Sequence, residues 1–233
     1  MTLQSLRSLI LQQRFLGKPL SPNSKIMKQY KELLPIELSS FQKAMLVGLM
    51  LGDVSLKWNK SLTGASLQFE WGDKHVAYAF YVWHLLYPYC LEVPRRQVRT
   101  NANGNEVVTW CFQTVTHPAF LFLHDVFIVE GKKCVLPVLY DLITPISLAF
   151  WFMDDGGRQD YRSYGLQFHT QGFTTSEVDW PARLCRAGKL LQDKFDLKCW
   201  RKSNKGRPII AVSGHSYNTF FGLIKIICMN QCI

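Results

Sequence analysis

The chain repeats itself. Leu67-Gln68-Phe69-Glu70 returns as Leu166-Gln167-Phe168-His169, an offset of 99 residues (166 − 67). An apolar run ending in an acid precedes each copy, Leu46 to Asp53 and then Leu148 to Asp155, with the acids 102 apart (155 − 53). After each copy come a long helical stretch, two strands around a Gly turn (Asn103-Gly104, then Lys205-Gly206) and a final amphipathic helix. One tetrapeptide would constrain little, but the same order of elements at a nearly constant spacing makes the chain two copies of one unit. The order predicts an α+β fold of two pseudo-symmetric αββαββα units with antiparallel sheets. It divides the 233 residues into a lead-in over 1–38, a first half over 39–140 and a second half over 141–233.

Leu67, Phe69 and Trp71 alternate with Ser66, Gln68 and Glu70, and Val108, Trp110 and Phe112 alternate with Thr109, Cys111 and Gln113. Period-two alternation puts one face of each sheet in the core and leaves the other open. Residues 95–100 and 106–114 flank the Asn-Gly turn as a hairpin. The open faces are expected to carry Arg95, Arg96, Gln97, Arg99 and Gln113 in the first half, and Lys198, Arg201, Lys202, Lys205 and Arg207 in the second. Arg158, just past the second acidic run, is a further candidate for contact with a partner. These cations belong to a larger excess: 27 Lys and Arg against 17 acids, a net charge of +10. Such a balance points to a polyanionic partner. A membrane-surface protein is excluded because the charge falls in strands and turns rather than along one amphipathic helix.

No apolar run reaches the roughly 18–20 residues that span a bilayer. Ala77 to Leu91 is the longest, and His84 and Pro88 interrupt it; it reads as a buried helix. The seven cysteines are scattered without a CxxC pair, so neither a zinc ribbon nor a disulfide framework is supported. The first 31 residues lack any acid and carry Arg7 and Arg14, which resembles a transit peptide. Without a cleavage signal they read as a basic lead-in to the fold.

The two acidic runs carry the chemistry. Ser39 with Gln42 forms a capping-box pattern, and Thr144-Pro145 supplies a cap and a first-turn proline for the second run. Gly48 and Gly52 share one face and invite close approach of another backbone, while Gly156-Gly157 stops the second helix. Both helices therefore present an aspartate to the negative end of the macrodipole, which costs about 0.3–1 kcal/mol. A divalent cation reverses that sign. Asp53 and Asp155, with Gly52 and Asp154 beside them as further oxygen donors, form an all-oxygen site suited to Mg²⁺ or Mn²⁺.

Leu46 to Val54 and Leu148 to Gly156 resemble the two motifs of the LAGLIDADG homing endonucleases in their single-chain, monomeric form. The resemblance covers about Pro22 to Ile227. It implies a central pair of packed motif helices, saddle-shaped sheets in the major grooves of double-stranded DNA, and metal held by Asp53 and Asp155. It further implies a double-strand break with 3′ overhangs at a long asymmetric site, in support of intron mobility. By position it also implies that Glu70 and His169, with Gln171 two residues on, order water around the metals. Lys133 or its neighbour Lys132 approaches the scissile phosphate, and Asp160 assists through solvent. Leu51 and Val54 depart from the first motif, Phe150 replaces a small residue between the helices, and no second-half counterpart of Lys133 is evident, so one strand is expected to be cut more slowly. The other reading is a binding module on the same scaffold, either an RNA intron maturase or a DNA-binding protein that has lost cleavage. An organelle, mitochondrion or chloroplast, is the expected compartment, with the bacterial cytoplasm as the other.

Overall fold

The computed structural model describes residues 1–170, 184–204 and 206–229. The lead-in carries α1 (Leu3–Phe15) and α2 (Lys25–Glu32). The first copy then runs α3 (Ser40–Leu51), β1 (Ser55–Trp58), β2 (Ala65–Gly72), α4 (Val76–Leu85), β3 (Arg95–Thr100), β4 (Glu106–Gln113) and α5 (Leu121–Phe127). A small hairpin of β5 (Ile128–Val129) and β6 (Lys132–Lys133), then α6 (Leu139–Leu142), lead to the second copy. That copy runs α7 (Pro145–Asp155), β7 (Gly156–Arg158), β8 (Leu166–Phe168), α8 (Leu184–Phe195), β9 (Cys199–Asn204), β10 (Arg207–Val212) and α9 (Tyr217–Met229). The αββαββα order thus occurs twice. The two antiparallel sheets repeat it in space, with strand orders β1-β2-β4-β3 and β7-β8-β10-β9.

By packing, the chain forms two compact units, Met1–Ser39 with Ser55–Leu121 and Ser40–Val54 with Phe122–Ile233. In the first, Leu67, Phe69 and Trp71 are buried as their alternation predicts. Phe69 stacks on Phe112 with ring centroids 4.4 Å apart, and Trp71 meets the edge of Tyr78 from α4 at 5.0 Å. Each such aromatic contributes about 1.5–3 kcal/mol by leaving water. Asn101 shapes the β3–β4 turn by accepting from the backbone N–H groups of Asn103 and Asn105 at 3.0 and 2.9 Å. Gly104 takes the left-handed φ of +80° that the turn requires.

The lead-in belongs to the first unit's core. Leu6, Ile10, Met27 and Tyr30 are buried, and Tyr30 Oη donates to the Pro88 carbonyl at 2.6 Å. Arg7 Nη1 bridges Tyr30 Oη and the Tyr87 carbonyl, each at 3.1 Å. The expected helix over 77–91 is shorter: α4 stops at Leu85, and Tyr87–Tyr89 make one 3₁₀ turn around Pro88, which cannot extend a hydrogen-bonded helix.

In the second unit α3 packs on α7, and the two glycines show why. A Cβ on Gly48 would collide with the Ser147 carbonyl and lie 3.0 Å from Phe150 Cβ. Residues 48 and 150 are 102 apart, the motif offset (150 − 48), so each helix meets the other at equivalent positions, glycine on one side and phenylalanine on the other. Phe150 fills the space with an edge contact to Phe41 at 6.1 Å. Behind α7, Trp151 lies on Phe168 of β8 at 4.4 Å and Phe152 on Phe220 of α9 at 4.8 Å. The cap forms as expected: the Thr144 side chain accepts from the Ser147 N–H, Ser147 reciprocates, and Pro145 begins the helix. Thr144→Ala should therefore cost about 1 kcal/mol, seen as a Tm lower by about 2–4 °C in a thermal melt. Among the described residues no helix is long and apolar enough to cross a membrane.

Candidate active site

The first motif helix ends earlier than its apolar run suggests. α3 stops at Leu51, and Gly52 and Asp53 form the turn that follows, with Gly52 N–H donating to the Gly48 and Leu49 carbonyls at 3.3 and 3.1 Å. α7 keeps Asp155 within its last turn, and Gly156 caps it in an extended conformation rather than a left-handed one. The two ends meet through another equivalent pair, residues 52 and 154 (154 − 52 = 102). A Cβ on Gly52 would lie 2.6 Å from Asp154 Cβ, so glycine makes room for that carboxylate. Asp154 Oδ2 then accepts from the Asp53 N–H at 3.2 Å, satisfying a backbone donor and fixing where Asp53 stands. That positioning role was not legible in the motif.

Lys133, on β6, reaches the same place. Its Nζ donates to the Gly52 carbonyl at 2.7 Å and to the Val54 carbonyl at 3.4 Å. Lys132 is exposed, so of the two lysines it is Lys133 that reaches the ends of the motif helices. The Gly52 carbonyl, expected as an oxygen donor to metal, is thus an acceptor for this ammonium. Burial lowers the Lys133 pKa, while Asp155, Asp53 and Asp154 pull it back up. Burial also pushes the Asp155 carboxyl up to about 8, reinforced by Asp53 and Asp154 and opposed by Lys133. Three carboxylates around one ammonium leave negative charge uncompensated.

That surplus fits a divalent cation. Among the described residues no three His, Cys, Asp or Glu side chains converge into a closed metal cage. Asp53 and Asp155 would hold Mg²⁺ or Mn²⁺ through carboxylate oxygens, the donors that these hard cations take. His169 adjoins them, its backbone N–H donating to the Asp155 carbonyl at 2.8 Å, and its Nε2 is hydrogen-bonded to Gln167 Nε2 at 3.2 Å. The second unit thus brings together Asp53, Asp154, Asp155, Lys133 and His169. Asp160 serves a turn, accepting from the Arg162 N–H at 3.0 Å. Gln171 and Lys205 lie outside the described residues.

Residues directly opposite across an antiparallel pair share a face, and this sorts the strand cations. In the first sheet Arg95, Cys111 and Glu70 form one row, and Gln97 and Arg99 follow on the same side with Gln68 and Gln113. Glu70 pairs with Arg99 at 3.0 Å, and Arg99 also donates to Gln97 Oε1 at 2.9 Å. In the second sheet the matching row runs His169, Ile209 and Lys202, with Trp200, Lys198 and Arg207 on that side. Lys202 therefore stands where Arg95 stands in the first copy. Two expected open-face cations are on the other side, Arg96 in the row of Trp110 and Trp71 and Arg201 in that of Phe168, and the further candidate Arg158 stands with them in the row of Leu166. Adjacent residues of a strand cannot share a face, and all three keep exposed side chains only because they stand on edge strands.

Two duplicated sheets, two packed motif helices and a carboxylate pair at their ends define a DNA endonuclease scaffold. The model of the LAGLIDADG DNA endonuclease family matches residues 43–220, and the chain belongs to that family. It is 39% identical over 214 residues to probable intron-encoded endonuclease 1 of Wickerhamomyces canadensis, spanning 88% of this chain and 87% of that one. It is also similar to the solved homing endonuclease I-WcaI bound to its DNA recognition sequence, with a TM-score of 0.80, 39% identity and 93% of each chain covered. A cytochrome b mRNA maturase bI2 of Debaryomyces hansenii is 31% identical over 137 residues, 58% of this chain and 51% of that one.

Proposed function

We propose that this chain is a sequence-specific homing endonuclease that makes a double-strand break in a long asymmetric DNA target by metal-dependent phosphodiester hydrolysis. The observation that carries the reading is the meeting of Asp53, Asp155 and Lys133 at the ends of α3 and α7. The relatives support it, being named intron-encoded endonucleases or solved on a DNA recognition sequence. Asp53 and Asp155 hold the cation, Asp154 positions Asp53, and the Lys133 ammonium offsets charge gathering on the scissile phosphate. The chemistry that Mg²⁺ or Mn²⁺ would supply when held there is activation of water and stabilisation of the leaving oxygen. Glu70 and His169, and Gln171 with them, order water near the reacting phosphate.

The halves 39–140 and 141–233 each read one half of the target through an open sheet face, and the single chain acts as a monomer. Arg95, Gln97, Arg99, Gln113, Lys198, Lys202, Lys205 and Arg207 are the contacts proposed there. Intron mobility in an organelle is the proposed setting. The maturase relative favours one further reading, RNA binding on the same scaffold.

Incubating the protein with a randomised-site DNA library and Mg²⁺, then sequencing the cut ends, tests the function. Specific double-strand products are expected; specific binding without cutting would favour the binding module. The choice of face has its own test. Arg99→Ala and Lys202→Ala should each flatten the salt dependence of DNA affinity by about 0.9 per lost phosphate contact, while Arg96→Ala leaves it unchanged. The reverse pattern, measured by fluorescence anisotropy, would place DNA on the other face.

A further inference from the structure

The first unit holds a pocket of about 300 Å³ between the lead-in and its sheet. Its floor is the open polar face, through Lys57, Ser66, Gln68 and Gln113, which the strand register puts on one side with Glu70 and Arg99. Its wall is the lead-in, through Arg14 and Lys31. The family match begins only at residue 43, so these lead-in groups fall outside it.

We propose that this pocket holds a backbone phosphate of the bound DNA duplex, so that the lead-in lengthens the DNA contact past the edge of the sheet. The inference rests on the open face being the DNA face. The pocket's chemistry selects the occupant. Three cations, Arg14, Lys31 and Lys57, face one acid, Glu92, which is already paired with Arg14. That leaves Lys31 and Lys57 for an anion. Among the described residues the hydrogen bond of Lys31 Nζ is a long one, to the Pro22 carbonyl at 3.4 Å, and burial pulls its pKa down, a cost that a phosphate would relieve. The Ser66 hydroxyl and the amides of Gln68 and Gln113 add neutral donors of the kind that orient phosphate oxygens. Gln68 Nε2 already donates to Gln113 Oε1 at 3.3 Å, so both amides are held in place along the floor. Because these glutamines belong to the same row system as Arg95 and Arg99, a strand of DNA followed along the face arrives at the pocket without leaving the protein.

The test compares the full-length protein with Lys31→Gln, Lys57→Gln and the double variant, each first shown by thermal melt to be folded. Lys57 is exposed on an edge strand, so at least one variant keeps the fold. Affinity is measured by anisotropy across a salt series, on a long duplex and on duplexes trimmed at either end. Each substitution should flatten the log K against log salt slope by about 0.9 and weaken binding roughly five- to tenfold at 0.1 M salt. Trimming one end alone should bring the parent down to the variants. Slopes and affinities equal to the parent's would overturn the pocket while leaving the DNA face intact. So would protection of the parent by inorganic phosphate with no change in DNA binding, which would mark a small-anion site. A parent that binds no DNA would instead remove the reading on which the pocket depends.

Discussion

Asp155→Asn is expected to bind its DNA target about as tightly as the parent and to cut it at least about 10³-fold more slowly, because several kcal/mol of metal-dependent stabilisation disappear. Asp53→Asn should behave alike, since the motif offset makes the two acids equivalent. A second readout needs no DNA. The Asp155 carboxyl sits at about 8 in the folded chain against 3.8 for the free group. A folded pKa above the unfolded one gives stability that is fully present below the unfolded value and lost as pH rises through the folded one. In chelator, the parent should therefore lose stability between about pH 4 and pH 8, and Asp155→Asn should not. Solvent access to the carboxylate keeps the effect on the order of 1–2 kcal/mol, or about 2–8 °C in Tm at pH 8. Mg²⁺ should restore the parent at pH 8 and leave the variant unmoved. Cleavage by Asp155→Asn at the parental rate would remove the carboxylate from the metal site.

Gly48→Ala should be strongly damaging. The added carbon would be driven into the Ser147 carbonyl, which is backbone and cannot swing aside, and against Phe150. Overpacking of this kind costs about 1–3 kcal/mol or more, a Tm drop of about 5–10 °C, and cleavage should fall with it as the ends of α3 and α7 part. Gly222→Ala is the matched control. That glycine lies in α9 with no atom within 4 Å of a built Cβ, so alanine there should stabilise by about 0.5–1 kcal/mol. Calorimetry on both variants separates crowding from helix propensity; equal effects would mean that α3 and α7 do not approach as closely as Gly48 and Ser147 indicate.

The duplication made most of the architecture legible. The repeated Leu-Gln-Phe placed β2 and β8, their alternation placed the core, and the acid-tipped runs placed α3 and α7. What stayed hidden depended on register or on long-range partners. Arg95 and Arg96 look equivalent in sequence, yet pairing with Cys111 and with Trp110 sends them to opposite faces. Lys132 and Lys133 became distinct only once a two-residue strand aimed one of them at the Gly52 carbonyl. Asp154 reads as one of two adjacent acids until Gly52, 102 positions earlier, gives it space to hold the Asp53 N–H. The pocket under the lead-in carries no motif at all, because its groups come from two helices and three strands far apart in the chain.

Because α3 packs with residues that follow it by about a hundred positions, its folding is tied to the clock of synthesis. Ala44 to Leu51 are all buried in the finished protein, yet the facing surface of α7 has not been made when they leave the ribosome. At about 5–20 residues per second, the 102-residue gap leaves an eight-residue apolar stretch waiting roughly 5–20 s for its partner. Such a delay favours chaperone capture and makes the refolded yield fall with concentration. The residues that create the cutting centre are also those that expose the nascent chain longest to aggregation.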